Sequence, residues 1–111
     1  MPVDPDFADR IRGALAGEDG VTEKAMFGGL AFLVAGNMAV GVANTGELMV
    51  RVGPEATDDA LAEAHTRLFD MGGRPMRGWI LVAREGASGQ QQLEAWVRRG
   101  VRFARTLAPK G

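Results

Sequence analysis

Residues 26–52 read MFGGLAFLVAGNMAVGVANTGELMVRV, and this stretch decides the fold. It predicts three short strands that are joined by two tight turns. Gly36-Asn37 has the form of a two-residue hairpin loop, because glycine accepts the positive φ that such a loop requires. Asn44-Thr45-Gly46 suits a three-residue loop that ends in a left-handed glycine. The stretch is therefore typical of an antiparallel meander.

The two faces of this meander differ in side-chain size. Side chains alternate between the faces along a strand, and we assign the large residues to the core: Leu30, Phe32, Val34, Met38, Val40, Val42, Leu48, Val50 and Val52. The second face carries mostly small residues: Ala31, Leu33, Ala39, Gly41, Ala43, Met49 and Arg51. If helices cover only the first face, the second face has to meet water, a partner or another copy of the chain. Helices on both faces are the alternative.

Three segments predict helices. Asp4-Pro5-Asp6 begins the first, because Asp caps free amides and Pro is tolerated in the first turn. Thr57 caps the second. Ser88 or a neighbour begins a long C-terminal helix, whose apolar stripe follows a period of 3.6 residues: Leu93, Trp96, Val97, Val101, Ala104 and Leu107.

Two further strands are predicted at residues 69–71 and 79–82, around a Gly72-Gly73 turn. Pro75 and Gly78 indicate an irregular edge or bulge between them. The element order α-β-β-β-α-β-β-α predicts an α+β fold with two layers, in which helices pack on a five-stranded, mainly antiparallel sheet.

The composition favours one cytoplasmic domain over residues 1–111. The hydrophobic fraction of 46% supports a real core, and the absence of cysteine fits a reducing compartment. The acidic N-terminus has no apolar run after it, so we expect no secretory signal. The longest apolar run, residues 30–35, is far too short to cross a membrane.

Two segments carry a family resemblance. The first combines residues 26–33 with Gly36-Asn37-Met38 and the strand 48–52, and the second is residues 73–79, which read GRPMRGW. Together they resemble the N-terminal domain of the TfoX/Sxy family, most closely its short single-domain bacterial members. The resemblance implies a two-layer α+β fold similar to secretion chaperones. It also implies a role in transcription, since named members regulate natural competence with the cyclic-AMP receptor protein. It supplies no catalytic residues.

No motif in the sequence predicts catalysis, a cofactor or a metal. Gly28-Gly29 precedes a strand rather than a helix, so it predicts special backbone geometry rather than a phosphate site. His65 is the only histidine. Without a second histidine or a cysteine it favours a structural role near a helix end over a zinc or catalytic role. We therefore predict a protein that is not an enzyme.

Charge is distributed unevenly along the chain. Residues 1–66 hold 11 acidic and 4 basic side chains, whereas residues 67–111 hold 3 acidic and 9 basic ones. Part of this excess forms a basic face on the last helix, at Arg98, Arg99, Arg102 and Arg105. A solvated helix face is the favoured interpretation, and contact with nucleic acid is the less favoured one. Folding that interleaves the two halves would cancel the asymmetry.

The second sheet face gives the sharper functional hypothesis. We predict an interaction surface that includes Leu33, Gly41, Met49, Met71 and Met76, since methionine side chains repack easily around a partner. For Met71 and Met76, filling an edge of the core is the alternative, and the two interpretations are about equally favoured. We predict that this surface serves homodimerisation or protein docking. The family resemblance further implies that such docking takes part in transcriptional regulation. A small-molecule-binding module is the alternative function, and an undetected enzyme is the third.

Overall fold

The computed structural model describes residues 3–26 and 28–110. Its elements, in chain order, are α1 (Pro5–Ala14), β1 (Val21–Met26), β2 (Gly29–Val34), β3 (Asn37–Val42), β4 (Leu48–Arg51), α2 (Thr57–Leu61), β5 (Thr66–Met71), β6 (Arg74–Val82) and α3 (Gln90–Ala104), with a 3₁₀ turn at Arg84–Ala87 between β6 and α3. Over these residues the predicted α+β class is confirmed.

The strands form one antiparallel sheet in the order β1-β2-β3-β4-β6-β5. The described sheet has six strands, so the prediction of five is wrong. The strand that the sequence analysis did not predict is β1. Its sequence VTEKAM lacks the apolar alternation that marks a half-buried strand. Its four central residues are exposed, because β1 lies at the edge of the sheet and pairs with β2 alone.

The β2–β3 connection differs from the sequence prediction in its turn and in its register. The loop is Ala35-Gly36, with φ of 51° and 84°, rather than Gly36-Asn37. Phe32 pairs with Val40 and Leu33 with Met38, so Ala39 is an extra residue in β3. This bulge turns Ala39 into the core and keeps Val40 there. The assignment of Met38 to the core face, and of Ala39 to the second face, is therefore wrong.

All three helices of the described chain pack into one core on one face of the sheet. The core joins helix side chains to the large strand residues of the meander, and its most buried members include Phe7, Ile11, Phe32, Leu48, Ile80 and Leu93. The predicted core residues are buried there, except that Leu30 is half-buried against the core and Met38 lies outside it. The opposite, helix-free face of the sheet carries Ala31, Leu33, Met38, Gly41 and Met49.

The helix ends show one prediction that is confirmed and one that is wrong. Asp4 caps α1, since its Oδ1 accepts a hydrogen bond from the Asp6 amide at 3.0 Å. Thr57 is the first residue of α2 rather than its cap. It is fully buried, and its hydroxyl donates to the Gly53 carbonyl at 2.8 Å. The loop before α2 is thereby tied to the helix from inside the core.

The last two strands begin earlier than predicted. Strand β5 begins at Thr66 and β6 at Arg74, so β6 contains both Pro75 and Gly78. The pairing passes from Leu68↔Ile80 directly to Asp70↔Pro75, which leaves one residue of β5 opposite four of β6. Gly78 has a φ of 98°, which favours glycine. The predicted irregularity is confirmed, and it bends the distal part of this hairpin.

Candidate functional site

A concavity of about 410 Å³ lies on the helix-free side of the sheet. Four methionines line it, at the end of β1, at the start of β3, in β4 and in β6: Met26, Met38, Met49 and Met76. Its lining also includes the small residues Gly29, Ala31 and Ala43. We call this concavity the methionine groove. None of its described lining residues comes from a helix.

The bent β5–β6 hairpin supplies one wall of the groove. Phe69, Met76 and Trp79 line it together with residues of β1–β3, although β5 and β1 lie at opposite edges of the sheet. Asn44 and Asp70 provide the polar lining side chains. Asp70 Oδ1 accepts a hydrogen bond from the Gly73 amide at 2.7 Å, which fixes the hairpin turn. The groove is thus an apolar, aromatic-walled site with a polar margin.

The predicted interaction surface maps partly onto this groove. Met49 and Met76 line it, and Met38, which the sequence assigned to the core, lines it as well. Gly41 forms the sheet backbone beneath, where an added Cβ would lie 2.9 Å from Met38 Cε. Leu33 is half-exposed on the same face, next to Met38 in the β2–β3 ladder. The side chain of Met71 and the whole of Phe27 lie outside the described residues.

Arg51 stands at the end of β4, beside the groove. It shares a face with Met49, two residues earlier, and pairs with Trp79 across the ladder. Its guanidinium carbon lies 4.8 Å from the centre of the Trp79 ring and 5.4 Å from that of Phe103. Burial between these rings lowers the pKa of Arg51 from its usual value. The charge is retained, because an arginine pKa lies far above neutrality.

The predicted basic face is partly neutralised by acids from other elements. Arg99 pairs with Glu63 at 2.5 Å and stacks on Trp96, and Arg105 pairs with Glu18 at 2.8 Å. Arg98 and Arg102 are exposed. Of the seven ion pairs in the described structure, five join an acid before residue 67 to an arginine from residue 67 onward. Folding therefore interleaves the two charged halves.

Because Arg105 and Glu18 both keep a third or more of their side chains exposed, we expect this ion pair to contribute little to stability. A double-mutant cycle with Arg105→Ala and Glu18→Ala should give a coupling energy of about 0.5 kcal/mol. Urea unfolding of the four proteins in low salt measures it, and high salt should reduce it further. A coupling above about 2 kcal/mol would contradict this, and would make the pair a structural element of the domain.

His65 is placed away from the groove. It follows α2 rather than lying within its last turn, and has a positive φ of 67°. Its side chain is exposed, and its carbonyl accepts from the Ala83 amide at 2.8 Å. Among the described residues, no group of three or more His, Cys, Asp or Glu side chains could hold a metal ion. No helix of the described chain is long and apolar enough to cross a membrane.

The protein is thus an α+β domain with one antiparallel sheet. Helices cover one face of this sheet, and the methionine groove lies on the other. The model of the TfoX N-terminal domain family matches residues 14–104. The match spans most of the chain, and the chain belongs to this family. Among curated proteins, no relative matches it.

Proposed function

We propose that this TfoX-family domain is a protein-interaction domain without catalytic chemistry, and that the methionine groove is its docking site. The observation that supports this most directly is the position of the groove. It lies on the helix-free face, where the described chain provides no helix to cover its apolar lining. Contiguous apolar concavities on a protein surface are typical of interaction sites.

The composition of the groove suits a protein partner. Methionine and aromatic side chains are enriched in the centres of interfaces. Met38, Met49 and Met76 are unbranched and can repack around the side chains of a docked segment. Asn44 and Asp70, at the polar margin, can satisfy the backbone groups of such a segment. By family resemblance, we propose that the partner acts in cytoplasmic transcription.

A charge placed in the groove tests this proposal. Met49→Glu should weaken partner binding by about 30-fold or more, equivalent to ~2 kcal/mol, because docking would bury an unpaired carboxylate. The partner is first captured from the native cell by the wild-type domain. It is then purified, and its affinity for each variant is measured by isothermal titration calorimetry.

Two matched variants complete the experiment. Met76→Glu places the same charge on the opposite wall of the groove and should have a similar effect. Ala95→Glu places it on the exposed surface of α3, on the helix layer, and should leave affinity unchanged. If both groove variants keep the fold, as judged by thermal unfolding, and bind the partner as tightly as Ala95→Glu does, the groove is not the docking site.

A further inference from the structure

Arg51 differs from most arginines of this domain in how it is held. Six others make ion pairs in the described structure: Arg12, Arg67, Arg77, Arg84, Arg99 and Arg105. Arg51 makes no ion pair or side-chain hydrogen bond with any described residue. Two aromatic rings hold it instead, Trp79 on β6 and Phe103 on α3. Its orientation is fixed by cation–π contacts, and its hydrogen-bonding capacity is left unused.

Arg51 is half-buried, but its nitrogens are not completely buried. The described structure contains no buried side-chain nitrogen or oxygen without a hydrogen-bond partner. Since the Arg51 nitrogens have no such partner, each of them keeps some contact with solvent. A cation–π contact engages the charge of a guanidinium and does not use up its five N–H donors. These donors match the two oxygens of a carboxylate.

Arg51 does not line the groove itself, but it neighbours two residues that do. Trp79 both lines the groove and stacks on Arg51. Met49 lines the groove on the same face of β4, two residues before Arg51, a separation of about 7 Å along a strand. An apolar side chain above Met49 and a carboxylate at Arg51 can therefore belong to neighbouring residues of one docked segment.

We propose that the partner segment that docks in the methionine groove is an acidic-apolar peptide, whose carboxylate is bound by Arg51. This inference rests on the proposed function and adds the chemistry of the partner. Charge complementarity selects this occupant: an apolar groove beside an unpaired cation favours apolar side chains next to an aspartate or glutamate.

Selection from a library of random displayed peptides tests the inference. Peptides that bind the wild-type domain and lose binding to Met49→Glu are groove ligands. We expect these to carry an acidic residue close to large apolar ones. Arg51→Gln should weaken them by about tenfold, the usual size of a charge-assisted hydrogen-bond effect. Arg51→Glu should select basic residues instead, and Arg51→Lys should restore part of the affinity.

The outcomes separate the two proposals. If groove peptides are selected but lack acids, or bind Arg51→Gln as tightly as the wild type, the role of Arg51 is overturned and docking in the groove stands. If no groove peptide is selected, both proposals fail. Decanoate binding that Arg51→Gln abolishes, without any groove peptide, would assign the site to a small amphiphile. A dimer that Met49→Glu dissociates, again without any groove peptide, would assign it to a second copy. Either result overturns the inference.

Discussion

Gly100→Ala is expected to destabilise the domain by about 3 kcal/mol, which lowers the melting temperature by roughly 15 °C in a domain of this size. Gly100 is buried on α3, where the helix crosses β3. A Cβ at this position would collide with the Ala39 carbonyl oxygen and lie 2.7 Å from Val40 Cγ1. The carbonyl belongs to the bulged backbone of β3 and cannot rotate away, so the helix would have to move off the sheet.

Helix propensity alone predicts the opposite change in stability. The measurement therefore distinguishes close packing of α3 on β3 from helix propensity. In an exposed helix, replacing glycine by alanine stabilises by about 1 kcal/mol. Gly13 on α1 is the matched control, because it is exposed and an added Cβ would meet nothing within 4 Å. Gly13→Ala should raise the melting temperature slightly, while Gly100→Ala lowers it, in the same calorimetric experiment. Equal stability of Gly100→Ala and the wild type would show that α3 is not packed this closely on β3.

Gly29→Ala is expected to destabilise by about 2–3 kcal/mol and to weaken docking in the groove. A Cβ on Gly29 would collide with the Val42 carbonyl oxygen and lie 3.3 Å from the Val42 carbonyl carbon. Both atoms are backbone, so relief requires separating the start of β2 from the end of β3. Since Gly29, Val42 and Ala43 all line the methionine groove, this movement would also reshape the groove.

Gly46→Ala separates this steric effect from the cost of a glycine conformation. Gly46 has a φ of 90°, yet an added Cβ would meet nothing within 4 Å. It should therefore cost only the conformational penalty of about 1 kcal/mol and leave partner affinity unchanged. Urea unfolding measures the first quantity and calorimetric titration of the partner the second. If Gly29→Ala behaves like Gly46→Ala in both, the contact with β3 does not shape the site.

The two glycines of the MFGG motif were predicted to serve backbone geometry, and the structure confirms this for each in a different way. Gly28 has a φ of 76°, in the left-handed region that favours glycine. Gly29 has no positive φ and is required by close approach to β3. Two adjacent glycines before a strand indicate a backbone geometry that a side chain would prevent, and the sequence could predict this much. It could not tell the two reasons apart.

Three features of the site could not be predicted from the sequence. Strand β1 joins the sheet through backbone pairing at its edge. Such pairing does not require an apolar pattern in the sequence of the strand. The bulge at Ala39 moves Met38 out of the core and into the groove, and one extra residue in a ladder leaves no compositional mark. The bend of the β5–β6 hairpin was signalled by Pro75 and Gly78, but its direction over the helix-free face was not.

The sequence by itself determined the α+β class, the meander with its second loop and the family. It also determined the apolar stripe of α3, apart from Leu107, which lies beyond the end of that helix. These follow from local chemistry: the period of apolar residues, the turn preferences of Gly and Asn, and the capping by Asp4. The tertiary structure alone decided that Met26, Met38, Met49, Met76 and Trp79 share one groove beside Arg51. Residues more than 50 positions apart meet there, and their meeting depends on strand order, register and the bend of a hairpin. Each of these is a property of pairing between segments, and no single segment encodes it.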